Sequence, residues 1–208
     1  MGSLFVVFAL IWTVTFLFAP RMGDSWLWDT GNAVGFAAFA GLLYLSLPGQ
    51  PKQDLKAHEY LGYLVLALIA GHGLWFLLAD AAAVEYLKPG APAYMWTGVL
   101  GIVVATLLVA LARLPTRVRR HSSYDRFRLL HLTLSIAAIC FSVHHIVASG
   151  FYLQTPLQIA LFSLIAAAVV VARPLGFRPL GKALPRAFLL VSAVGVAVFV
   201  AVRVGVAQ

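Results

Sequence analysis

Thiols and charged side chains are scarce in this chain of 208 residues. Cys140 is its single cysteine, which excludes an internal disulfide and any iron–sulfur or zinc site built from several thiolates. Only 11% of the residues are charged, whereas soluble proteins average about a quarter. Since 62% are hydrophobic, the composition predicts an integral membrane protein.

The chain also lacks room for a soluble catalytic domain. No stretch between its apolar runs reaches the length of about 100 residues that a nucleotide-binding domain needs. Any nucleotide chemistry is therefore expected to come from a partner.

Basic residues outnumber acidic ones and give a net charge of +8, but they gather in loops between apolar runs. Nucleic-acid binding is therefore not expected. Lys and Arg are retained on the cytoplasmic side of membranes, so the basic loops at 113–128 and 173–186 are predicted to be cytoplasmic. The resulting topology has its amino terminus inside and its carboxy terminus outside.

Seven apolar runs approach the length of a membrane-spanning helix, and proline and glycine mark the gaps between them. The first run lacks the basic start of a secretory signal, so it is predicted to be a retained helix. The sequence thus predicts an all-α membrane protein with helices at about 4–19, 29–47, 57–79, 94–112, 126–148, 157–172 and 186–204.

Four histidines recur at matched depths in two of these runs. His58 and His72 are fourteen residues apart in the third helix, and His131 and His144 are thirteen apart in the fifth. An imidazole inside a bilayer costs free energy, so this recurrence indicates a shared ligand. Both helices run in the same direction, and about 21 Å separates the two levels. Each pair can bind one iron from opposite sides, which predicts an inner and an outer haem.

The identity of the fourth ligand stays open at this point. A fourteen-residue interval returns a helical side chain to within about 40° of its starting direction. His145, fourteen residues after His131, is therefore on the same face of the helix as His131. The direction of His144 differs from that of His145 by about 100°. Helix geometry alone mildly prefers His145.

Two further inferences follow from paired histidines. Iron with both axial positions filled suits electron transfer better than direct binding of a substrate. Arg126 and Arg128 precede His131 and are candidates for contact with the propionates of the inner haem, although topology explains them equally well.

The histidines lie in two local motifs. These are His58-Glu59-Tyr60-Leu61-Gly62 through Gly71-His72, and Arg128-Leu129-Leu130-His131 through Val143-His144-His145. They resemble the ferric reductase-like transmembrane domain that is shared by NADPH oxidases, metal-ion reductases and the haem-binding subunit of bacterial methionine sulfoxide reductase. The resemblance covers roughly residues 4 to 172.

The resemblance implies six transmembrane helices, two b-type haems, electron input from the cytoplasm and reduction of an acceptor on the far side. NADPH oxidases use intervals of fourteen and thirteen, which favours His144. Some fungal metal reductases use fourteen in both intervals, so His145 remains an alternative.

Several departures from the family pattern refine this expectation. The flavin and nicotinamide domain that follows the sixth helix in the oxidases has no counterpart here, and a seventh apolar segment stands in its place. The chain therefore divides into a ferric reductase-like domain at 1–172 and a basic loop with an additional helix at 173–208. One helical turn beyond the outer ligand, NADPH oxidases have another histidine near the site of oxygen reduction. This chain has Phe76 there, so superoxide production as its main activity is less expected.

The leading hypothesis is a one-electron conduit in a bacterial inner membrane. A cytoplasmic or membrane-associated flavoprotein would dock on the basic inner loops, reduce the His58/His131 haem and pass the electron to the His72/His144 haem and an external acceptor. Some stand-alone relatives resemble flavin-binding proteins at the inner face, so FMN or FAD at the inner face of this chain is a further candidate cofactor. The alternatives are a diheme cytochrome b subunit of a quinone-linked respiratory complex and a metal-handling bundle without haem.

Overall fold

A computed structural model describes residues 2–16, 26–47, 55–79, 81–113, 124–172 and 185–205. These residues form seven α-helices and no strand, which confirms the all-α prediction. A 3-10 helix, Ala81–Leu87, follows the third of them. The helices are α1 (Gly2–Phe16), α2 (Trp26–Ser46), α3 (Leu55–Ala79), α4 (Ala93–Arg113), α5 (Tyr124–Ser149), α6 (Pro156–Ala172) and α7 (Pro185–Gly205).

Length and composition allow several of these helices to cross a membrane. Among the described residues, four helices are both long enough and apolar enough to span a membrane: α3, α4, α5 and the Pro185–Val202 part of α7. Helices α1 and α6 are apolar but shorter. Large apolar side chains such as Leu78 and Leu164 remain exposed, which suits a surface that contacts lipid chains. The chain is a multi-pass membrane protein.

Helix α2 lies at the centre of the bundle, with neighbours on most of its sides. It packs against α1, α3 and α7 and also contacts α5 and α6. Small buried residues, among them Ala33, Ala37 and Gly41, allow this close approach. A Cβ atom at Gly41 would lie 2.7 Å from both a ring carbon of Phe188 and a methyl carbon of Val65.

Helix α7 shares the core of the first six helices. Phe188 and Phe199 are both 1% exposed, and the Phe199 ring centre lies 5.2 Å from that of Trp12 and 6.1 Å from that of Phe36. The additional helix is therefore packed against α1 and α2 over its length.

Helix α6 begins with a capping box. The backbone N–H of Gln158 donates to Thr155 Oγ1, and the backbone N–H of Thr155 donates to Gln158 Oε1. The Gln158 amide also donates to the carbonyl oxygens of Val14 and Tyr152. This one buried side chain thereby joins the start of α6 to α1 and to the turn that precedes it.

A buried polar contact joins the same turn to α2. The Tyr152 hydroxyl donates to Asp29 Oδ1 at 2.6 Å, and both residues are at most 5% exposed. Hydrogen bonds to carboxylates in such sites stabilise proteins more than neutral ones do.

Replacing Tyr152 by Phe should destabilise the protein, because the Asp29 carboxylate loses a buried donor. We expect a loss of about 1–3 kcal/mol in the free energy of unfolding, measured by thermal denaturation in detergent. Tyr124→Phe is the matched control, since Tyr124 is 75% exposed and its replacement should leave the melting temperature unchanged. Equal melting temperatures for the two variants would contradict this account of the contact.

Candidate functional site

The two histidine-bearing helices face each other across a gap. Within the described chain, no Cα atom of α3 lies within 8 Å of one of α5. Helix α3 instead packs on α2 and α4, and α5 packs chiefly on α4. A space therefore remains between α3 and α5, and histidine side chains from both helices project into it.

The histidine rings meet across this gap at two levels. The ring centres of His58 and His131 are 6.3 Å apart, and those of His72 and His145 are also 6.3 Å apart. Imidazole nitrogens bind metals such as zinc at about 2.0–2.1 Å, so two rings on opposite sides of one metal have centres about 6.5 Å apart. Both pairs have the separation that axial ligands of a shared metal require.

After the topology predicted from the sequence, we call His72 and His145 the outer pair and His58 and His131 the inner pair. The outer pair has a defined protonation pattern. His72 Nδ1 lies 2.8 Å from the carbonyl oxygen of Gly31, and His145 Nδ1 lies 2.8 Å from that of Tyr94. A carbonyl oxygen only accepts hydrogen bonds, so each Nδ1 must carry the proton. The lone pair of each ring is then on Nε2, the nitrogen that remains available to a metal.

His144 has different surroundings from His145. It is exposed, and its Nδ1 lies 3.0 Å from the hydroxyl oxygen of Thr97 on α4. The ring that faces His72 is that of His145. Both intervals, from His58 to His72 and from His131 to His145, are then fourteen residues.

An apolar cavity adjoins the outer pair between α2, α3, α4 and α5. His72 and His145 line it, together with apolar side chains and glycine, among them Phe39, Ile69, Gly73 and Ile102. Its mostly apolar walls suit a large, flat ring system.

Aromatic and charged groups surround the inner pair. The Phe127 ring stacks on His131, with centres 5.7 Å apart and planes 24° apart. Arg126 and Arg128 are exposed in the first two turns of α5, at the same end of the bundle. The basic loop at 113–128 was predicted to dock a flavoprotein, and its residues Arg117, Arg119 and Arg120 lie outside the described residues. The 173–184 part of the other basic loop does so too.

A polar cluster beside His58 was not predicted from the sequence. The Tyr63 hydroxyl donates to Glu59 Oε1 at 2.8 Å, and the Arg113 guanidinium donates to the Tyr63 hydroxyl. Arg113 Nε also lies 3.5 Å from Glu59 Oε1. The spacing of four residues between Glu59 and Tyr63 is the available sequence signal, because such residues are neighbours on a helix. The cluster joins the inner ends of α3 and α4.

The carbonyl partners of the outer histidines were also missed. Every residue has a backbone carbonyl oxygen, so the sequence does not show which one accepts a hydrogen bond. The available signal is the GxxxG motif of Gly31 and Gly35 on α2, a pattern found at close contacts between membrane helices.

The arrangement favours a cofactor that brings its own donors. Over the described ranges, no group of three or more His, Cys, Asp or Glu side chains could hold a bare metal ion. The histidines form pairs, and a pair of axial ligands is what iron needs when a porphyrin supplies its remaining four nitrogens. The residues present therefore fit haem at both levels.

Comparison with known proteins finds a similarity over part of the chain. Residues 43–142, a little under half of the chain, match the family described as ferric reductase like transmembrane component. The matched segment contains His58, His72 and His131 and ends before His144 and His145, so it does not distinguish between the last two. It is also narrower than the 4–172 range of the resemblance. No curated protein and no solved structure matches the chain.

Proposed function

We propose that this protein transfers single electrons across a membrane through two haems of the b type, because residues 43–142 match the ferric reductase-like transmembrane family. It is the electron-transfer membrane component of an oxidoreductase. A cytoplasmic or membrane-associated flavoprotein supplies the electron, and an acceptor on the outer side receives it.

One observation carries this proposal. Two histidine pairs with equal ring separations of 6.3 Å lie on the same two helices, one pair near each end. With fourteen residues between levels, the two sites are about 21 Å apart along the helices. That arrangement suits relay of an electron between two carriers more than chemistry at one centre.

We assign His58 and His131 to the inner haem and His72 and His145 to the outer haem. The choice of His145 over His144 rests on the ring that faces His72 and on the carbonyl contact of its Nδ1. It agrees with the helical periodicity of the sequence and departs from the interval found in NADPH oxidases.

Haem supplies a reversible one-electron couple when it is bound between these histidines. The chain supplies the surroundings. Hydrogen bonds from Nδ1 to carbonyl oxygens orient the outer rings and raise the basicity of Nε2. The apolar walls keep water away from the outer level, and Arg126 and Arg128 are the cations nearest in sequence to His131 for binding propionates.

The direction of electron flow rests on charge. The segments at 113–128 and 173–186, which join helices and include the first or last turns of those helices, hold most of the basic residues, and such segments face the cytoplasm. The same loops would attract an acidic face of a donor flavoprotein or the phosphate of a flavin.

Histidine replacements should separate the two levels. We expect wild-type protein to bind two haems per chain, whereas His72→Leu and His145→Leu should each lose the outer haem and keep the inner one. His144→Leu is the matched control and should keep both, because its ring does not face His72. The haem-to-protein ratio and the reduced-minus-oxidised absorption spectrum measure this.

Two results would be decisive against these assignments. Wild-type protein without haem and without a redox-dependent Soret shift would overturn the proposed function. If His144→Leu lost the outer haem and His145→Leu kept it, the proposed function would still hold, but His144 would replace His145 as the ligand of the outer haem.

Neutralising the inner arginines should weaken docking of the donor. In the triple variant with Arg117, Arg119 and Arg120 replaced by Gln, we expect reduction of the inner haem by a flavoprotein to slow about tenfold at low salt, because steering charge is lost. Haem content should stay unchanged, and a small uncharged reductant should act at the wild-type rate. Wild-type reduction kinetics that do not vary with salt concentration would rule out the docking role.

A further inference from the structure

The two outer histidines contact their neighbouring helices in the same way. His72 Nδ1 donates to the carbonyl oxygen of Gly31, and its ring lies against Gly35, four residues further along α2. His145 Nδ1 donates to the carbonyl oxygen of Tyr94, and its ring lies against Gly98, four residues further along α4. We call each combination of a carbonyl and a following glycine a carbonyl–glycine clamp.

Both glycines are sterically required by these contacts. A Cβ atom at Gly35 would lie 2.8 Å from His72 Nδ1 and 2.8 Å from its Cε1. A Cβ atom at Gly98 would lie 2.8 Å from His145 Nδ1 and 3.0 Å from its Cε1. Side-chain carbons essentially never approach other atoms closer than 3.0 Å, so any other residue at Gly35 or Gly98 would displace the ring.

Helix geometry explains why the glycine lies four residues after the carbonyl. A helical carbonyl points along the axis toward the amide of residue i+4, and side chains at i and i+4 lie one above the other on the same face. A ring that donates to the carbonyl of residue i must therefore pass over residue i+4. Glycine at Gly35 and at Gly98 leaves room for the ring beside the carbonyl oxygen, where a Cβ atom would meet it.

A neighbouring contact holds α3 in register with the first clamp. Trp75 Nε1 donates to the carbonyl oxygen of Leu27 at 2.8 Å, one turn before Gly31. A Cβ atom at Gly31 would lie 2.6 Å from a ring carbon of Trp75 and 2.7 Å from one of Phe76. The position of His72 relative to α2 is thus fixed along the helix axis as well as across it.

The two clamps also fix the angle between the rings. The planes of His72 and His145 are 78° apart, whereas those of His58 and His131 are 55° apart. Each outer ring is held at Nδ1 by a carbonyl and against one edge by a backbone, so its rotation about the Cβ–Cγ bond is restricted. The nearly perpendicular arrangement follows from the directions of α2 and α4 and does not need a cofactor to impose it.

We propose that Gly35 and Gly98 are positioning residues that set the orientation of the two outer haem ligands. This inference rests on the proposed function and deepens it. The clamps hold the outer imidazole planes nearly perpendicular and direct both Nε2 atoms into the gap. Because the two pairs then differ in the angle between their imidazole planes, the outer haem should differ from the inner one in its electron paramagnetic resonance spectrum and in its reduction potential.

Alanine replacements test the clamps directly. The low-spin ferric electron paramagnetic resonance signal of iron with two imidazole ligands depends on the angle between the ligand planes. In Gly35→Ala and in Gly98→Ala we expect the signal of the outer haem to shift or disappear, and its potential to change, while the inner signal stays as in wild-type protein. The double variant should lose the outer haem.

Gly71→Ala is the matched control. Gly71 is next to His72 on the same helix, but a Cβ atom there would meet nothing within 4 Å. This variant should keep both wild-type signals. His58→Leu and His72→Leu identify which signal belongs to which level. An unchanged outer signal in either Gly35→Ala or Gly98→Ala would overturn the proposal, although wild-type protein with two haems would still support the proposed function.

A measurement on unaltered protein covers the case in which the alanine variants do not fold. Because 78° exceeds 55°, the outer haem of wild-type protein should give the more anisotropic of the two signals. The reverse order would overturn the clamp proposal. Absence of both signals from wild-type protein that contains no haem would instead overturn the proposed function.

Discussion

A buried imidazole must find an acceptor for its N–H group, and in an apolar bundle the second lone pair of a helical carbonyl can provide it. Two histidines of this protein meet that requirement on neighbouring helices, at Gly31 and at Tyr94. The requirement links α3 to α2 and α5 to α4, and these are the two most extensive helix contacts of the described chain. Helix packing and ligand orientation therefore have a common origin.

Much of this arrangement follows from the sequence, because apolar runs and helical periodicity are properties of the chain itself. All seven helices were predicted, with end positions that differ by a few residues. For the fourth ligand, helical periodicity mildly preferred His145, whereas the family resemblance had selected His144. The carbonyl partners were not predictable in the same way, since every residue has a carbonyl and only tertiary packing selects one. The Glu59, Tyr63 and Arg113 cluster likewise depends on how α3 and α4 meet.

The part of α2 that contacts His72 lies outside the segment that matches the ferric reductase-like family. The match begins at residue 43, near the end of α2, whereas Gly31 and Gly35 lie in its first half. Helix α2 is in turn enclosed by α1 and α7, with Phe188 packed against the open face of Gly41. Residues beyond the matched segment thus determine the geometry of residues within it.

The sharing of two helices by both histidine pairs has a mechanical consequence. A change of register between α3 and α5 by one residue, in which each side chain of α3 takes the place of its neighbour, would move a side chain by about 1.5 Å along the axis and turn its direction by about 100°. Both pairs would separate together, because both belong to the same two rigid helices. A shift along the helix axis therefore cannot change one pair and spare the other, so axial movement of α3 against α5 is coupled at both levels.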